Sequence, residues 1–374
     1  MNGARLLAIL IKEFLQIKRD KLTFAMMVGV PIMQLILFGF AINTDPKALP
    51  MAVVQADQSE FSRSLISSLE NSSYFRITHR PHSEAEGDQL LAGGDVQFLL
   101  VIPSGFARQM LRGEHPAILL AADATDPAAA GNALAALSGI SRQALAQDLK
   151  GNLLALQQQD APYEIRVQRR YNPEGLTRYN IVPGLIGVIL TMTMVMMTSL
   201  AMTRERERGT MENLLATPAR PVEVMIGKIA PYIVIGYVQV SVILVAARLL
   251  FDVPIVGSLA LLSVSLVLFM AANLAVGFTF STIAKSQLQA MQLTFFFFLP
   301  SILLSGFMFP FRGMPGWAQA IGEVLPLTHF LRVVRGIMLK GNQRADIAPQ
   351  LWPLALFMLV AGIIALLRYR QTLD

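Results

Sequence analysis

Six stretches of this chain run for about twenty residues with almost no charge, the length a helix needs to cross a hydrocarbon layer. They fall at 22–42, 179–202, 229–250, 255–283, 291–310 and 351–367. Hydrophobic residues make up 54% of the chain and charged residues 15%, so no soluble core could absorb all of these runs. The sequence therefore predicts an α-helical integral membrane protein with six transmembrane helices. The first run follows basic residues, as a secretory signal does, but no small-x-small cleavage pattern follows it in "FGFAINTDP". It reads as a retained anchor. Cysteine is absent, which excludes disulfides, thiolate metal sites and a cysteine nucleophile.

Lys and Arg near the span ends set the expected orientation. Arg5, Lys12, Lys18, Arg19 and Lys21 precede the first span, Arg204, Arg206, Arg208, Arg220 and Lys228 lie between the second and third, and Arg368 and Arg370 follow the sixth. With six spans all three groups share one side, the cytoplasm, with both termini there. One segment dissents: 311–349 belongs outside, yet carries Arg312, Arg332, Arg335, Lys340 and Arg344. The net charge of +6 thus reports membrane orientation, not a nucleic-acid partner.

Residues 1–21 hold an amphipathic stretch with Leu6, Leu7, Leu10, Ile11, Phe14 and Ile17 at helical spacing, suited to the inner interface. Residues 22–43 are the first span. Residues 44–178 have a soluble composition, with strand-like runs "PMAVVQ", "YFRITHR", "VQFLLVI", "AILLAA" and "YEIRVQRRY" separated by helical ones. Ser59 opens one helix and Ser83 with Glu86 forms a capping box for another, while Pro127 starts a longer one reaching about 159. Alternating strands and helices imply an inserted extracytoplasmic α/β domain with a partly parallel sheet. Residues 179–374 return to the membrane with short connections, except 311–345. There, two segments split by Pro326 show apolar sides, Trp317, Ile321 and Val324 on one and Leu331, Val334, Ile337 and Met338 on the other. They are too charged to span and too apolar to be a free loop, and read as outer-interface or re-entrant helices that include Glu323, Arg332 and Arg335.

The spans hold no Asp, Glu, Lys or His near their centres, where a proton-driven carrier needs ionisable groups. Arg248 sits near a span end beside Asp252, where it can snorkel. The phosphate-cradling pattern G-x-x-x-x-G-K-[ST] is also missing. If the protein pumps, another chain hydrolyses the nucleotide. Attention then falls on 204–221, "RERERGTMENLLATPARP". The second span continues through Arg204, Glu205, Arg206, Glu207 and Arg208 as a charged stalk until Gly209 breaks it. Thr210 caps a short helix, Glu212 occupies its first turn, and Met211, Leu214 and Leu215 share one side. The segment suits a grip for a soluble partner, or equally a charged turn that fixes topology.

Smaller features weigh less. Met194 and Met197 in "MTMVMMTSLAM", with Gln292, Phe296 and Pro300 of the fifth span, are candidates for a substrate path; thioether metal binding is the weaker reading of the methionines. Gln239, Asn273, Gln289 and Gln292 read as bonds between spans in preference to path lining. His79 and His82 lack a third ligand and read as surface residues. Asp57, Asp123 and Asp126 sit at strand ends, where turn and capping roles outnumber hydrolytic ones.

The motif order resembles that of ABC-2-type permeases, the membrane subunits of ABC exporters. The likeness rests on "RERERGTMENLLATPARPVEVMIGKIAPY", "VIPSGFARQMLRGEHPAI", "DATDPAAAGNAL", "RYNPEGLTRYNIVPGLIGVIL" and "LPSILLSGFMFPFRGMPGWAQAIGEVLPLTHFLRVVRGIMLKG". It covers nearly the whole chain and points to the bacterial branch with a large periplasmic domain, described as multidrug or antibiotic exporters. The resemblance implies an inner-membrane half-transporter that pairs with a second permease subunit and binds ABC ATPase subunits on the cytoplasmic face. No catalytic site, metal or cofactor is expected in this chain, ATP and Mg residing on the partner. The residues 210–217 would be the coupling helix, 1–21 the connecting helix, and the segments at Trp317 and Leu331 the re-entrant helices. The expected cargo is hydrophobic or amphiphilic, with a periplasmic adaptor as a further partner. Two other classes stay open at this level: a membrane-anchored α/β enzyme or binding module, and a secondary transporter.

Overall fold

A computed structural model describes residues 47–145, 148–149, 162–207 and 221–368. The amphipathic stretch, the first apolar run and the segment 208–220, with Arg208, Gly209, Thr210, Met211, Glu212, Leu214 and Leu215, lie outside the described residues. Each of the five anticipated strands forms. They are β1 (Leu49–Gln55), β2 (Phe75–His79), β3 (Phe98–Ile102), β4 (Ala117–Asp123) and β5 (Glu164–Arg170), alternating with helices α1 (Glu60–Asn71), α2 (Glu84–Gly93), α3 (Phe106–Leu111) and α4 (Pro127–Gln143). The strand order is β2-β1-β3-β4-β5, and every neighbouring pair is parallel except β3 with β4.

Alternation along the strands decides which residues face which layer. Met51 and Val53 of β1, Phe98 and Leu100 of β3, and Ile118 and Leu120 of β4 meet Leu65, Phe106 and Ala133 from α1, α3 and α4. Their neighbours Ala52, Val54, Leu99 and Ala121 point the other way and meet Leu91 of α2. Strand β5 is an edge, mostly exposed and rich in arginine, which discourages pairing with another sheet. The caps read from sequence are made: Ser59 accepts from Ser62 N, and Ser83 from Glu86 N. Helix α2 ends at Gly94, whose φ of +83° is the left-handed conformation glycine adopts without strain.

Helices α5 (Thr177–Glu207), α6 (Pro221–Phe251), α7 (Leu259–Ile283), α8 (Gln287–Leu304), α9 (Gly316–Val324), α10 (Pro326–Arg335) and α11 (Arg344–Arg368) follow. Five of them, α5, α6, α7, α8 and α11, are long and apolar enough to cross a membrane. Helices α5 and α7 pack closely: a Cβ on Gly277 would lie 2.6 Å from the Val195 carbonyl oxygen, so only glycine permits this spacing. Gln239 accepts a hydrogen bond from Thr193 Oγ1 at 3.1 Å and joins α6 to α5, an inter-span role read from sequence. Gln289 Oε1 accepts from Lys285 N and caps the start of α8. Asn273 donates to the Phe269 carbonyl within its own helix.

The split at Pro326 holds, with Pro326 in the first turn of α10. The two halves have different fates, however. Trp317, Ile321 and Val324 of α9 are exposed, as an interfacial helix requires. Helix α10 lies inside the bundle: Leu327, Phe330, Val333 and Val334 are fully buried, and Phe330 stacks on Phe269 of α7 with centroids 4.1 Å apart. Only Arg332 and Arg335 on it are partly exposed among 326–335, and the buried parts of their head groups need partners within the protein.

Candidate functional site

Two regions carry polar chemistry on an otherwise apolar bundle, one at each end of α5. At the end remote from the sheet, α5 remains helical through Arg204, Glu205, Arg206 and Glu207. Its 31 residues span about 46 Å at 1.5 Å per residue, against a hydrocarbon core of about 30 Å. The charged last turn is thus the part that reaches water. Glu207 there accepts two hydrogen bonds from Gln287, from the backbone N at 2.7 Å and from Nε2 at 2.5 Å. Gln287 is the first residue of α8 after the Ser286 cap, so the carboxylate also sits where the helix dipole favours an anion. These bonds hold the Glu207 carboxyl below its ordinary range. The stalk is thereby tied to a second span immediately before the chain enters the 208–220 segment.

At the other end, the sheet unit sits on the bundle through a set of cations that explains the dissenting charges. Lys340, in the π turn Gly336–Lys340 that follows α10, reaches Asp123 Oδ2 at 2.6 Å. Both side chains are almost sealed, at 9% and 11% exposure, so each charge depends on the other. Asp123 Oδ1 accepts from Thr125 N and Oγ1. Lys340 also donates to the Leu91 carbonyl, Asn342 Nδ2 to that of Ala92 and Arg312 Nη2 to that of Gly94. These are carbonyls at and just beyond the C-terminus of α2, where the helix dipole favours cations; that of Leu91 also accepts from the Gly94 N–H. Tyr171 lies beneath Lys340, 5.3 Å from ring centroid to Nζ. Burial, with a smaller contribution from the Asp123 charge, pushes its hydroxyl up to about 12.

A cavity of about 450 Å³ separates the sheet unit from the bundle, with Gly94, Asp123, Arg312, Glu323, Arg332 and Lys340 among its lining. Arg332 pairs with both carboxylate oxygens of Glu323, at 3.0 and 2.5 Å, and lies over the Phe311 ring at 4.7 Å. His329 fastens this group from behind: Nε2 lies 2.7 Å from the Glu323 carbonyl and Nδ1 2.8 Å from Gln350 Oε1. A carbonyl only accepts, so Nε2 carries a proton. Arg335 is treated differently. Its Nη1 donates to the Gly306 carbonyl at 3.2 Å, and burial lowers its affinity for its proton despite Asp126 and Asp123 nearby.

The structure divides the path candidates. Met194 is fully buried in the core of the bundle, whereas Met197 and Phe296 are exposed. Gln292, Phe296 and Pro300 recur every four residues along one side of α8 and are at least partly accessible. Met194 therefore does not share a surface with them. Asp57 serves a turn, accepting from Ser59 N and Ala107 N, and His79 and His82 are exposed. Among the described residues no cluster of three or more His, Asp or Glu could hold a metal. Sequence reasoning missed Asp123 with Lys340, and the roles of Arg312 and Asn342. The available signal was the excess of cations in a segment whose orientation disallowed them.

Five helices able to cross a membrane among the described residues, with a mixed α/β unit pinned to one end of their bundle, define a polytopic membrane protein with a globular appendage. The chain belongs to the ABC-2 family of transporter proteins, whose pattern matches residues 21–367. It is 32% identical to "Probable multidrug ABC transporter permease YbhS" of Escherichia coli, over 91% of this chain and 90% of that one. It is 29% identical to "Inner membrane transport permease YhhJ" of the same species, over 91% and 93%. "ABC transporter G family member 20" of Dictyostelium discoideum is 27% identical over 88% of this chain and 45% of its own length.

Proposed function

We propose that this protein is the membrane-spanning permease subunit of an ATP-driven exporter, working with ABC ATPase subunits carried on separate chains. The observation that carries the reading is the stalk: α5 leaves the apolar layer as a charged helix and is latched to α8 through Glu207 and Gln287. A force applied beyond Glu207 would thus reach two spans at once. The segment 210–217 serves as the coupling helix that receives it, and the stalk side is the cytoplasm. Membership of the ABC-2 family and relatives named as multidrug and inner-membrane permeases support a hydrophobic or amphiphilic cargo moved out of a bacterial inner membrane. The α/β unit then faces the periplasm, where it guides cargo or docks an adaptor. A second permease subunit completes the assembly by covering α6, whose Val234, Val238, Val242 and Leu249 are exposed.

The test is substitution within the coupling segment. Glu212→Lys, or Leu214 and Leu215 both to Asp, should abolish stimulation of the co-expressed ATPase subunits while membrane insertion is unchanged. Normal coupling and transport by these variants would refute the assignment.

A further inference from the structure

Charges of both signs line the cavity of about 450 Å³ between the sheet unit and the bundle, and in equal number: Arg312, Arg332, Arg335 and Lys340 against Asp95, Asp123, Glu323 and Asp346. Two of the cations are matched, Lys340 by Asp123 and Arg332 by Glu323. Arg335, whose Nε and Nη2 are closed to solvent, answers to Asp126 and Asp123. Three charges are left open. Asp95 is exposed, and its carboxylate has no hydrogen bond or ion pair among the described residues. Asp346 is exposed too, with its Oδ2 engaged by the Gln343 N–H at 2.8 Å. Arg312 gives Nη2 to the Gly94 carbonyl at 2.7 Å and makes no other side-chain bond among the described residues.

Arg312 thus stands among charges of both signs. Burial between the modules weakens its hold on its proton and Arg332 adds to this, while Asp123, Asp95 and Glu323 oppose it; its surface still meets water. A bare anion here gains from Arg312 but is repelled by Asp95 and Asp346, and a bare cation meets the converse. A ligand carrying both signs gains from each. At about 30 Å³ for each water in the liquid, the cavity has room for a polar group of up to roughly fifteen water volumes.

Its depth narrows the class of ligand. The chain has two tryptophans, Trp317 and Trp352, and both are exposed. Tryptophan on the surface of a spanning bundle marks the layer of lipid head groups. Trp317 lies on α9 two residues before Gln319, and Trp352 on α11 two residues after Gln350; both glutamines line the cavity. The walls that α9 and α11 contribute therefore stand at head-group depth.

We propose that this cavity binds a zwitterionic head group bearing a phosphate and a primary ammonium, as phosphoethanolamine does, with Arg312 taking the phosphate and Asp95 and Asp346 the ammonium. Both a membrane lipid and the free head group carry that chemistry. The site is independent of the transport reading, because it requires neither nucleotide nor ATPase.

The experiment uses the full-length protein in an uncharged detergent and follows its thermal unfolding. Phosphatidylethanolamine, phosphatidylcholine and phosphatidylglycerol with the same acyl chains, and free phosphoethanolamine, are titrated separately. Phosphatidylethanolamine should stabilise at concentrations at least about tenfold below those of the other two lipids, the factor expected for charge-assisted bonds, since phosphatidylcholine has no N–H to donate and phosphatidylglycerol no cation. A response to the lipid alone assigns the site to the membrane; a response to free phosphoethanolamine as well assigns it to the head group from either source. Asp95→Asn breaks no hydrogen bond among the described residues, and Asp346→Asn keeps an oxygen for the Gln343 N–H. Both should abolish the preference for phosphatidylethanolamine, and Arg312→Gln should weaken its binding about tenfold. Should Arg312→Gln fold poorly, the two aspartate variants decide alone. A wild-type protein indifferent to every addition, any order of lipids other than phosphatidylethanolamine first, or aspartate variants that keep the preference would overturn the proposal and leave the cavity to water.

Discussion

The Lys340–Asp123 pair offers the most direct test of how the α/β unit is held. Lys340→Met removes the cation but keeps most of the aliphatic volume, leaving Asp123 89% buried by its side-chain surface without its partner at 2.6 Å. Breaking a buried pair from one side costs about 3–5 kcal/mol, and loss of the bond to the Leu91 carbonyl adds about 1 kcal/mol. Two features moderate this. Asp123 keeps its bonds from Thr125, and the Arg335 charge still attracts it. A cost near the lower end, about 3 kcal/mol, is therefore expected. Because unfolding of a chain with two kinds of module is not a single two-state event, amide hydrogen exchange is the suitable assay. Protection of amides near 90–96 and 338–342 should fall roughly a hundredfold, at 1.4 kcal/mol per tenfold. Adding Asp123→Asn to Lys340→Met should restore most of it, since the stranded charge is gone. Protection within twofold of wild type in the single variant, or a double variant as weak as the single one, would refute the clamp.

Three further outcomes follow from other contacts. Glu207→Ala should uncouple the stalk from α8, read as faster exchange at the Gln287 and Leu288 amides and weaker ATPase stimulation; unchanged exchange at Gln287 would remove the latch. Gly277→Val should force α5 and α7 apart, costing about 1–3 kcal/mol and lowering the thermal midpoint, whereas an unaltered midpoint would contradict the close approach to Val195. Partial burial raises the Asp57 pKa, but hydrogen bonds from Ser59, Ala107 and Phe106 outweigh it and leave the folded value below the ordinary one. This contribution is present above the unfolded pKa near 4 and is lost as pH falls through the folded value. Asp57→Asn should therefore flatten the acid limb of stability measured below about pH 4, and an unchanged acid limb would show that Asp57 contributes nothing to it.

Local rules carried the element assignments a long way. Ser59, Ser83 and Pro127 begin helices where capping chemistry places them, because a cap depends only on residues within one turn. The strands of the α/β unit emerge from short apolar, β-branched runs for the same reason. Pro326 begins α10, since a first-turn position loses no hydrogen bond to the missing N–H. Helix α10 shows where such reasoning stops. Its apolar and basic residues alternate with helical spacing, which reads as an outer-interface or re-entrant helix without deciding between them; the fold leaves only Arg332 and Arg335 of it partly exposed.

The chain's sequence by itself determined its class: apolar runs of spanning length leave a polypeptide no stable place except a bilayer, and short strand-like runs alternating with capped helices imply a partly parallel sheet between them. Only the tertiary structure decided where the charges of 311–345 go. Arg312 meets Gly94 across 218 residues, Lys340 meets Leu91 across 249, and Asn342 meets Ala92 across 250. No local period records such pairings, because the partners are backbone carbonyls and one carboxylate brought within reach by the packing of two modules.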